Sequence, residues 1–139
     1  MAYLPDGTPL PHAGPDDAPY WQFCRERTLR IQRCTQCGLH RHPPGPCCPR
    51  CGSFEHEWAP MSGRGTVFSW TVVHHPVHPA HRSAVPYNVA VVLLDGADEV
   101  RLVSNVIDAA PGEMRIGLPG EVVFEDAGEG WVLPRFRKS

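Results

Sequence analysis

Two short stretches, Cys34-Thr35-Gln36-Cys37 and Cys48-Pro49-Arg50-Cys51, decide how the first third of this 139-residue chain folds. The cysteines of each pair stand three positions apart, so both thiolates can reach one metal ion while amides of the turn hydrogen-bond to the sulfurs. A glycine follows each pair, at Gly38 and Gly52, where a tight turn favours a residue that tolerates a positive φ. The spacing predicts a metal ribbon with four thiolate ligands: Cys34, Cys37, Cys48 and Cys51.

The metal expected in this site is structural zinc, although iron uses the same four-cysteine set in rubredoxin. Two disulfides are the rival interpretation, but they need an oxidising compartment, and residues 1–5 show neither the charged nor the apolar region of a secretory signal. We therefore expect a cytoplasmic protein. Cys47 could replace its neighbour as a ligand, but only Cys48 gives the two-residue gap. Cys24 lies in an apolar stretch and is expected to be a small buried side chain.

Length and composition limit the architecture. A chain of 139 residues holds one modest core plus a small metal-stapled module, and 16 prolines with 13 glycines favour loops and strands over helices. No apolar run approaches the length that crosses a bilayer, so no membrane partner is expected. We predict an extended arm over residues 1–15, a helix and ribbon over 16–62, and a β-barrel over 63–139.

A short helix is predicted over about residues 16–28, capped by an aspartate at its start. Its apolar content is mostly aromatic, at Tyr20, Trp21 and Phe23. These side chains exceed what a short helix is expected to bury on a barrel already filled by strands. Exposed aromatic groups of this kind anchor protein interfaces, so the three residues are predicted to bind a partner.

From Gly63 the pattern changes to an alternation of period two, which indicates strands. Five strands in about 75 residues suit a small Greek-key barrel of the OB type, with a small open sandwich as the alternative. Pro134 places the last strand at an edge or a bulge. The predicted strands are Thr66–Val73, Tyr87–Leu94, Val100–Val106, Glu121–Glu125 and Trp131–Phe136.

A histidine-rich loop follows the first of these strands, with four histidines in eight residues: His74, His75, His78 and His81. Such a cluster could bind a second metal or shuttle protons. The alternative is a proline-stiffened loop that uses its histidines for packing or for contact with a partner or an acyl-CoA. We favour the second interpretation because no acidic residue stands near in sequence to orient a histidine ligand.

Charge is distributed unevenly along the chain. Residues 25–51 carry six arginines and one glutamate, whereas acidic residues outnumber basic ones from Gly65 onward. The ribbon arginines could meet the phosphates of coenzyme A or could form a solvated face. Zinc ribbons and OB barrels also bind single-stranded nucleic acid, but an acidic barrel offers no groove that tracks a phosphate backbone, so no nucleic-acid partner is expected.

The order of motifs carries a family resemblance. An aromatic helix and the four-cysteine ribbon are followed by Gly-Arg-Gly-Thr-Val-Phe-Ser-Trp at 63–70, Pro-Tyr-Asn-Val-Ala-Val-Val at 86–92, Ile-Gly-Leu-Pro-Gly-Glu-Val-Val-Phe-Glu at 116–125 and Leu-Pro-Arg-Phe at 133–136. This order resembles the acyl-CoA-associated OB-fold family with an N-terminal rubredoxin-like zinc ribbon, long known only as a domain of unknown function. The resemblance covers about residues 19–137.

The resemblance implies a non-catalytic accessory subunit. Members of that family accompany thiolase-fold enzymes, such as lipid-transfer-protein-like aldolases of steroid side chains, and also MaoC-like hydratases. We therefore expect a hetero-oligomer in which acyl-CoA is met only at a shared site. The residues agree, because the sequence contains no nucleophile elbow, phosphate-binding loop or metalloprotease helix. A rubredoxin-like electron carrier remains the other alternative, which the colour of the purified protein would separate.

Overall fold

The computed structural model describes residues 2–139. It contains one α-helix, a three-stranded ribbon and a five-stranded barrel, which confirms the predicted, mainly β fold class. The helix α1 spans Ala18–Arg25, and the ribbon strands are β1 (Arg30–Cys34), β2 (His40–Arg41) and β3 (His56–Pro60). The barrel strands are β4 (Arg64–Val73), β5 (Tyr87–Leu94), β6 (Arg101–Ser104), β7 (Pro119–Gly128) and β8 (Trp131–Lys138).

The barrel strands lie in the order β6-β5-β4-β7-β8, and every neighbouring pair is antiparallel. The two ends of this sheet meet through a parallel bridge between Val106 and Phe136. Ser104 Oγ also donates to the carbonyl oxygen of Pro134, 2.7 Å away. Closure between the third and fifth strands is the OB topology, and Pro134 stands on an end strand of the sheet, as predicted.

The barrel core follows from alternation along β5, where every second residue from Asn88 to Leu94 is buried. Cross-strand pairing places Val67, Val92 and Leu102 side by side in one layer of that core. Gly65 is needed because a Cβ there would lie 2.5 Å from the carbonyl oxygen of Leu93. Strand pairing at this corner therefore depends on the close approach of two backbones.

Asn88 is a buried polar hub, only 2% exposed, inside this apolar interior. Its Oδ1 accepts from Val106 N–H and its Nδ2 donates to the Val106 carbonyl oxygen, both at 2.8 Å. Tyr3, in the segment before the helix, accepts from the backbone and side-chain nitrogens of Asn88 at 3.1 Å. The N-terminal segment is therefore fastened to the barrel through Tyr3, a contact that the sequence did not predict.

The helix is shorter than predicted and begins at Ala18. Asp17 occupies the N-cap position, but its side chain makes no capping bond inside the helix. Its carboxylate instead accepts from Gly14 N–H at 2.6 Å and from Trp21 Nε1 at 3.1 Å. The helix thus closes a loop with the preceding segment and packs against β8 of the barrel.

Candidate metal centre and docking surfaces

The four predicted thiols come together at one point. The Sγ atoms of Cys34 and Cys51 are 3.6 Å apart, those of Cys37 and Cys48 are 3.5 Å apart, and all four lie within 4.8 Å of one another. Zinc bound tetrahedrally by sulfur, with Zn–S bonds of about 2.3 Å, separates its sulfurs by about 3.8 Å. The spacing of the donors therefore fits a zinc ion with four thiolate ligands.

Two turns of the same geometry position these sulfurs. In the first, Gly38 N–H donates to the Cys34 carbonyl oxygen at 2.9 Å, and in the second, Gly52 N–H donates to that of Cys48 at the same distance. Both glycines adopt a left-handed backbone, with φ of 79° and 78°. A side chain at either position would strain the turn, so the C-x-x-C-G pattern follows from the geometry.

The surroundings favour the thiolate form of Cys37 and Cys34, whereas at Cys51 a backbone N–H that donates to the sulfur is outweighed by the neighbouring thiols and burial, which raise the pKa of Cys51 to about 11. Backbone N–H of Leu39, together with the Arg50 guanidinium, lowers the pKa of the Cys37 thiol to about 6. The pKa of Cys34 also lies below its usual range, chiefly because the N–H of Cys37 donates to its sulfur. Donors aimed at sulfur stabilise the charged form that binds metal.

All four coordination positions of this site are filled by the protein. A closed Cys₄ site holds its ion for structure, because a catalytic zinc needs a position open to water or substrate. The cofactor is structural zinc.

The two remaining cysteines stand apart from the cluster. Cys47 is exposed and is absent from the group of converging sulfurs, although its neighbour belongs to it. Cys24 is fully buried in the core beside Tyr20, and burial raises the pKa of its thiol to about 11. A thiol that is neutral at physiological pH is a poor nucleophile, so Cys24 contributes packing.

The ribbon is tied to the barrel by its second strand. The backbone N–H of His40 and its ring Nδ1 both lie within 3.0 Å of Asp98 Oδ2. Asp98 sits in the β5–β6 turn with a positive φ of 55°, a conformation that suits aspartate better than most residues. Two residues after His40, burial lowers the pKa of the His42 ring to about 4, so this ring is neutral where it packs on Tyr20.

The arginines of residues 25–51 all donate hydrogen bonds within the chain, although three of them stay exposed and Nε and Nη1 of the buried Arg41 have no partner among the described residues. Arg27 pairs with Asp126 and donates to the Phe124 carbonyl oxygen, and Arg33 pairs with Glu57. Each of the six donates to at least one carbonyl or carboxylate of this chain: Arg25, Arg27, Arg30, Arg33, Arg41 and Arg50. These bonds compete with the phosphate contacts considered from the sequence.

The helix aromatic residues have partners within the chain. Tyr20 is 5% exposed and belongs to the core, so the expectation that all three aromatic side chains are exposed is wrong for this residue. Trp21 meets Trp131 edge to face, with ring centroids 5.5 Å apart. Phe23 lies 5.8 Å from Trp58. Trp21 and Phe23 remain partly exposed, and their docking role stays a prediction.

Trp131 is the partner of the helix, and the sequence did not predict this contact. Trp131 begins β8, and Arg25 lies over its ring at 4.9 Å while donating to the neighbouring Gly130 carbonyl oxygen. The signal available was an aromatic residue at the start of the last strand. Sequence separation of more than one hundred residues gave no reason to pair it with the helix.

The histidine loop is mostly used for its own structure. His78 Nδ1 accepts from Ala80 N–H and begins a 3-10 turn. His81 is buried, with Nε2 3.2 Å from Thr8 Oγ1 and Nδ1 3.3 Å from the hydroxyl of Tyr87. His74 and His75 are exposed.

The loop histidines do not form a second metal cluster. Over residues 2–139 the four cysteines form the one metal-binding group of three or more such side chains. The rings of His78 and His81 lie 5.8 Å apart and are each engaged by other groups. The packing interpretation of the loop therefore fits two of its histidines.

Comparison with known proteins identifies the family. Residues 21–57 match the family model of the ChsH2 rubredoxin-like zinc ribbon domain, and residues 58–125 match that of the ChsH2 C-terminal OB-fold domain. A DUF35 domain-containing scaffold protein of Methanocaldococcus jannaschii is 32% identical over 79% of this chain and 80% of its own length. The chain belongs to the ChsH2-type DUF35 family. The resemblance stated from the sequence is thereby confirmed.

A solved relative supports the assignment. A chain of the Ltp2-ChsH2(DUF35) aldolase is 42% identical to this one, with a TM-score of 0.84, over 93% of this chain and 98% of that chain. The ribbon and the barrel therefore recur together, in the same arrangement, in a DUF35 chain of an aldolase.

Two longer relatives are hydratase subunits. A probable enoyl-CoA hydratase alpha subunit of Thermomonospora curvata is 43% identical over 93% of this chain, and the 3-oxo-4,17-pregnadiene-20-carboxyl-CoA hydratase alpha subunit of Mycobacterium tuberculosis is 35% identical over 88%. This chain spans about two fifths of the length of each, 39% and 38%. Within the described residues, no helix has the length and apolarity to cross a membrane.

Proposed function

We propose that this protein is a non-catalytic accessory subunit that docks on a thiolase-fold enzyme acting on acyl-CoA thioesters. One observation carries the proposal: nearly the whole of a DUF35 chain in the Ltp2-ChsH2(DUF35) aldolase is matched, at 42% identity. A chain that reproduces one member of an assembly from end to end is expected to keep the surfaces that the assembly uses. The scaffold protein of M. jannaschii adds support through its name.

The local chemistry supports a role without turnover of its own. A nucleophilic hydroxyl needs a histidine as its base, and among the described residues Thr8 has the aliphatic hydroxyl that lies beside one, His81. The Thr8 hydroxyl donates its hydrogen to the Pro5 carbonyl oxygen, 2.6 Å away. The Thr8 oxygen therefore accepts from His81 and is not activated as a nucleophile. The zinc ligands, Cys24 and Thr8 therefore serve the fold: the zinc site is closed, Cys24 is buried, and the Thr8 hydroxyl is bound to Pro5.

We further propose that the partner's substrate is the acyl-CoA thioester of a lipid or a steroid side chain, and that this subunit stabilises the enzyme and helps to form its acyl-CoA site. The support is the steroid-derived CoA substrate named for the M. tuberculosis relative. His74 and His75 are the histidines left exposed for contact with that site or with the partner. A MaoC-like hydratase is a further partner, suggested by the two hydratase relatives.

Co-purification tests the proposal. The chain is loaded with zinc and mixed with the purified Ltp2 subunit of the solved aldolase, and the mass of the product is measured by light scattering during gel filtration. The proposal predicts a stoichiometric hetero-oligomer that contains both chains and survives dilution to micromolar concentration. Separate elution of the two chains at all concentrations would count against it. Cys47→Ser is the control and should form the same complex as the unmodified chain, because it changes an exposed residue outside the metal cluster.

A further inference from the structure

One edge of the barrel sheet is open. Strand β4 pairs with β7 only over Arg64–Thr66, and Val67 then exchanges hydrogen bonds with the loop before β7, through Gly117 and Leu118. From Ser69 to Val73 the strand continues with β5 on one side. Across residues 2–139, no backbone group pairs with the other side of this segment. The segment is therefore a free strand edge about five residues long.

The direction of the free backbone groups follows from Asn88. Its N–H donates to Tyr3 and its carbonyl oxygen accepts from Asn105, so both groups point away from β4. Val72 is the residue of β4 paired with Asn88. In an antiparallel ladder such a pair exchanges no hydrogen bonds, so the N–H and C=O of Val72 also point outward. Because inward and outward backbone groups alternate along a strand, the N–H and C=O of Trp70, two residues before Val72, point outward as well.

The side chains on this edge are accessible and uncharged. Trp70 is 37% exposed and Phe68 is 44% exposed, and Ser69 and Thr71 are exposed as well. Natural proteins protect free edges with charges, prolines or bulges. Beyond the bulge between Val67 and Ser69, the edge has no such protection up to Val73. An edge left open in this way is suited to accept another strand.

Charge identifies the occupant. The β4–loop–β5 hairpin, residues 63–94, contains no aspartate or glutamate, but it carries two arginines and four histidines. Arg64 already faces Glu121 on β7, and Arg82 lies in the loop of the hairpin. A second copy of the chain paired along the same edge would bring two hairpins together, neither of which supplies an aspartate or a glutamate. A partner segment bearing carboxylates would complement the hairpin.

We propose that the free edge of β4, from Trp70 to Val73, accepts an extended segment of the thiolase-fold partner as an added strand, and that this segment carries carboxylates facing the hairpin. The inference rests on the proposed function and locates its interface. Main-chain hydrogen bonds to Trp70 and Val72 supply affinity in this mode, while the side chains that alternate along the added strand supply specificity.

Site-resolved amide exchange tests the edge. In the isolated zinc-loaded chain, the amides of Trp70 and Val72 are expected to exchange rapidly, while those of Thr71 and Val73, bonded to β5, are protected. On binding of the Ltp2 subunit of the solved aldolase, the exchange of Trp70 and Val72 should slow by about tenfold or more, because their N–H groups gain partners. A complex that forms without this protection would refute strand addition at the β4 edge but not the proposed function. Absence of any complex overturns both.

A matched pair of variants tests the charge. Thr71→Glu and Thr71→Lys change one exposed position of the edge to side chains of similar size and opposite charge. We expect Thr71→Glu to weaken binding by about tenfold relative to Thr71→Lys, because the added strand carries carboxylates. Equal affinities would overturn the acidic character of the segment. Protection of Trp70 and Val72 that grows with the concentration of the isolated chain would identify a second copy as the occupant and overturn the proposal.

Discussion

Replacing one zinc ligand is expected to unfold the ribbon and to leave the barrel in place. In Cys37→Ser the zinc content should fall from one ion per chain to none under a mild chelator, because three thiolates and a hydroxyl bind the ion far more weakly. Between residues 35 and 55 the buried residues are Arg41 and Cys48, so this segment has no apolar core of its own. The ion takes the place of a core, as in other small metal modules.

The size of the effect follows from the same observation. Structural zinc supplies about 10–16 kcal/mol in small ribbon and finger modules, far more than any contact that holds residues 35–55 together. The tie between His40 and Asp98 is partly exposed and contributes roughly 1 kcal/mol or less. Loss of the ion should therefore release the segment completely, whereas the barrel core around Phe136, which is fully buried, keeps its packing.

Metal analysis together with limited proteolysis measures this outcome. Cys37→Ser should be cleaved rapidly within residues 35–55, and the fragment that contains β4–β8 should remain resistant. Cys47→Ser is the control and should keep one zinc and the wild-type cleavage pattern. Full zinc retention and an uncut ribbon in Cys37→Ser would refute the assignment. Loss of zinc in Cys47→Ser would show that the second pair of ligands had been placed one residue out of register.

Three further predictions concern the barrel, the helix and activity. Asn88→Ala leaves the buried N–H of Val106 without a partner, and its carbonyl oxygen keeps only the bond from Ala109 N–H at 3.4 Å. The free energy of unfolding in urea should fall by about 2–4 kcal/mol, and a loss below about 1 kcal/mol would contradict the structural role given to Asn88. Trp21→Ala should cost about 2 kcal/mol of stability, because it removes the contact with Trp131 and the hydrogen bond to Asp17, and Trp21→Phe should cost less. If the helix also docks on the partner, Trp21→Ala should weaken partner binding by about 2 kcal/mol, measured by calorimetry. The isolated chain should not turn over acyl-CoA thioesters, and any activity that persists through purification and disappears in His75→Ala or His78→Ala would overturn this.

The parts of the fold that the sequence predicted are those set by local pattern. The two C-x-x-C-G turns carry their geometry in five residues each, and the structure places both glycines at positive φ. The strand β5 was predicted at its observed bounds, Tyr87–Leu94, because its alternation is uninterrupted. Local chemistry is sufficient where neighbouring residues determine the conformation.

The parts that the sequence did not predict depend on distant contacts. Tyr3 binds Asn88 across 85 positions, and Trp21 packs on Trp131 across more than one hundred. No periodicity in the N-terminal segment indicates the contact of Tyr3 with Asn88, so this proline-rich segment was predicted to be an extended arm. The same reason explains why the helix aromatics were expected to be exposed: the surface that covers Tyr20 comes from the ribbon and the barrel.

Reconstitution of activity with the Ltp2 subunit tests whether this chain acts as a non-catalytic partner. The Ltp2 subunit of the solved aldolase is held at fixed concentration, the zinc-loaded chain is titrated into it, and cleavage of a steroid side-chain acyl-CoA is followed. We expect the rate to rise with added chain to a plateau at a simple molar ratio, and the chain alone to give no rate. A rate independent of the added chain, or turnover by the chain in the absence of Ltp2, would contradict the claim that this protein acts as a non-catalytic partner.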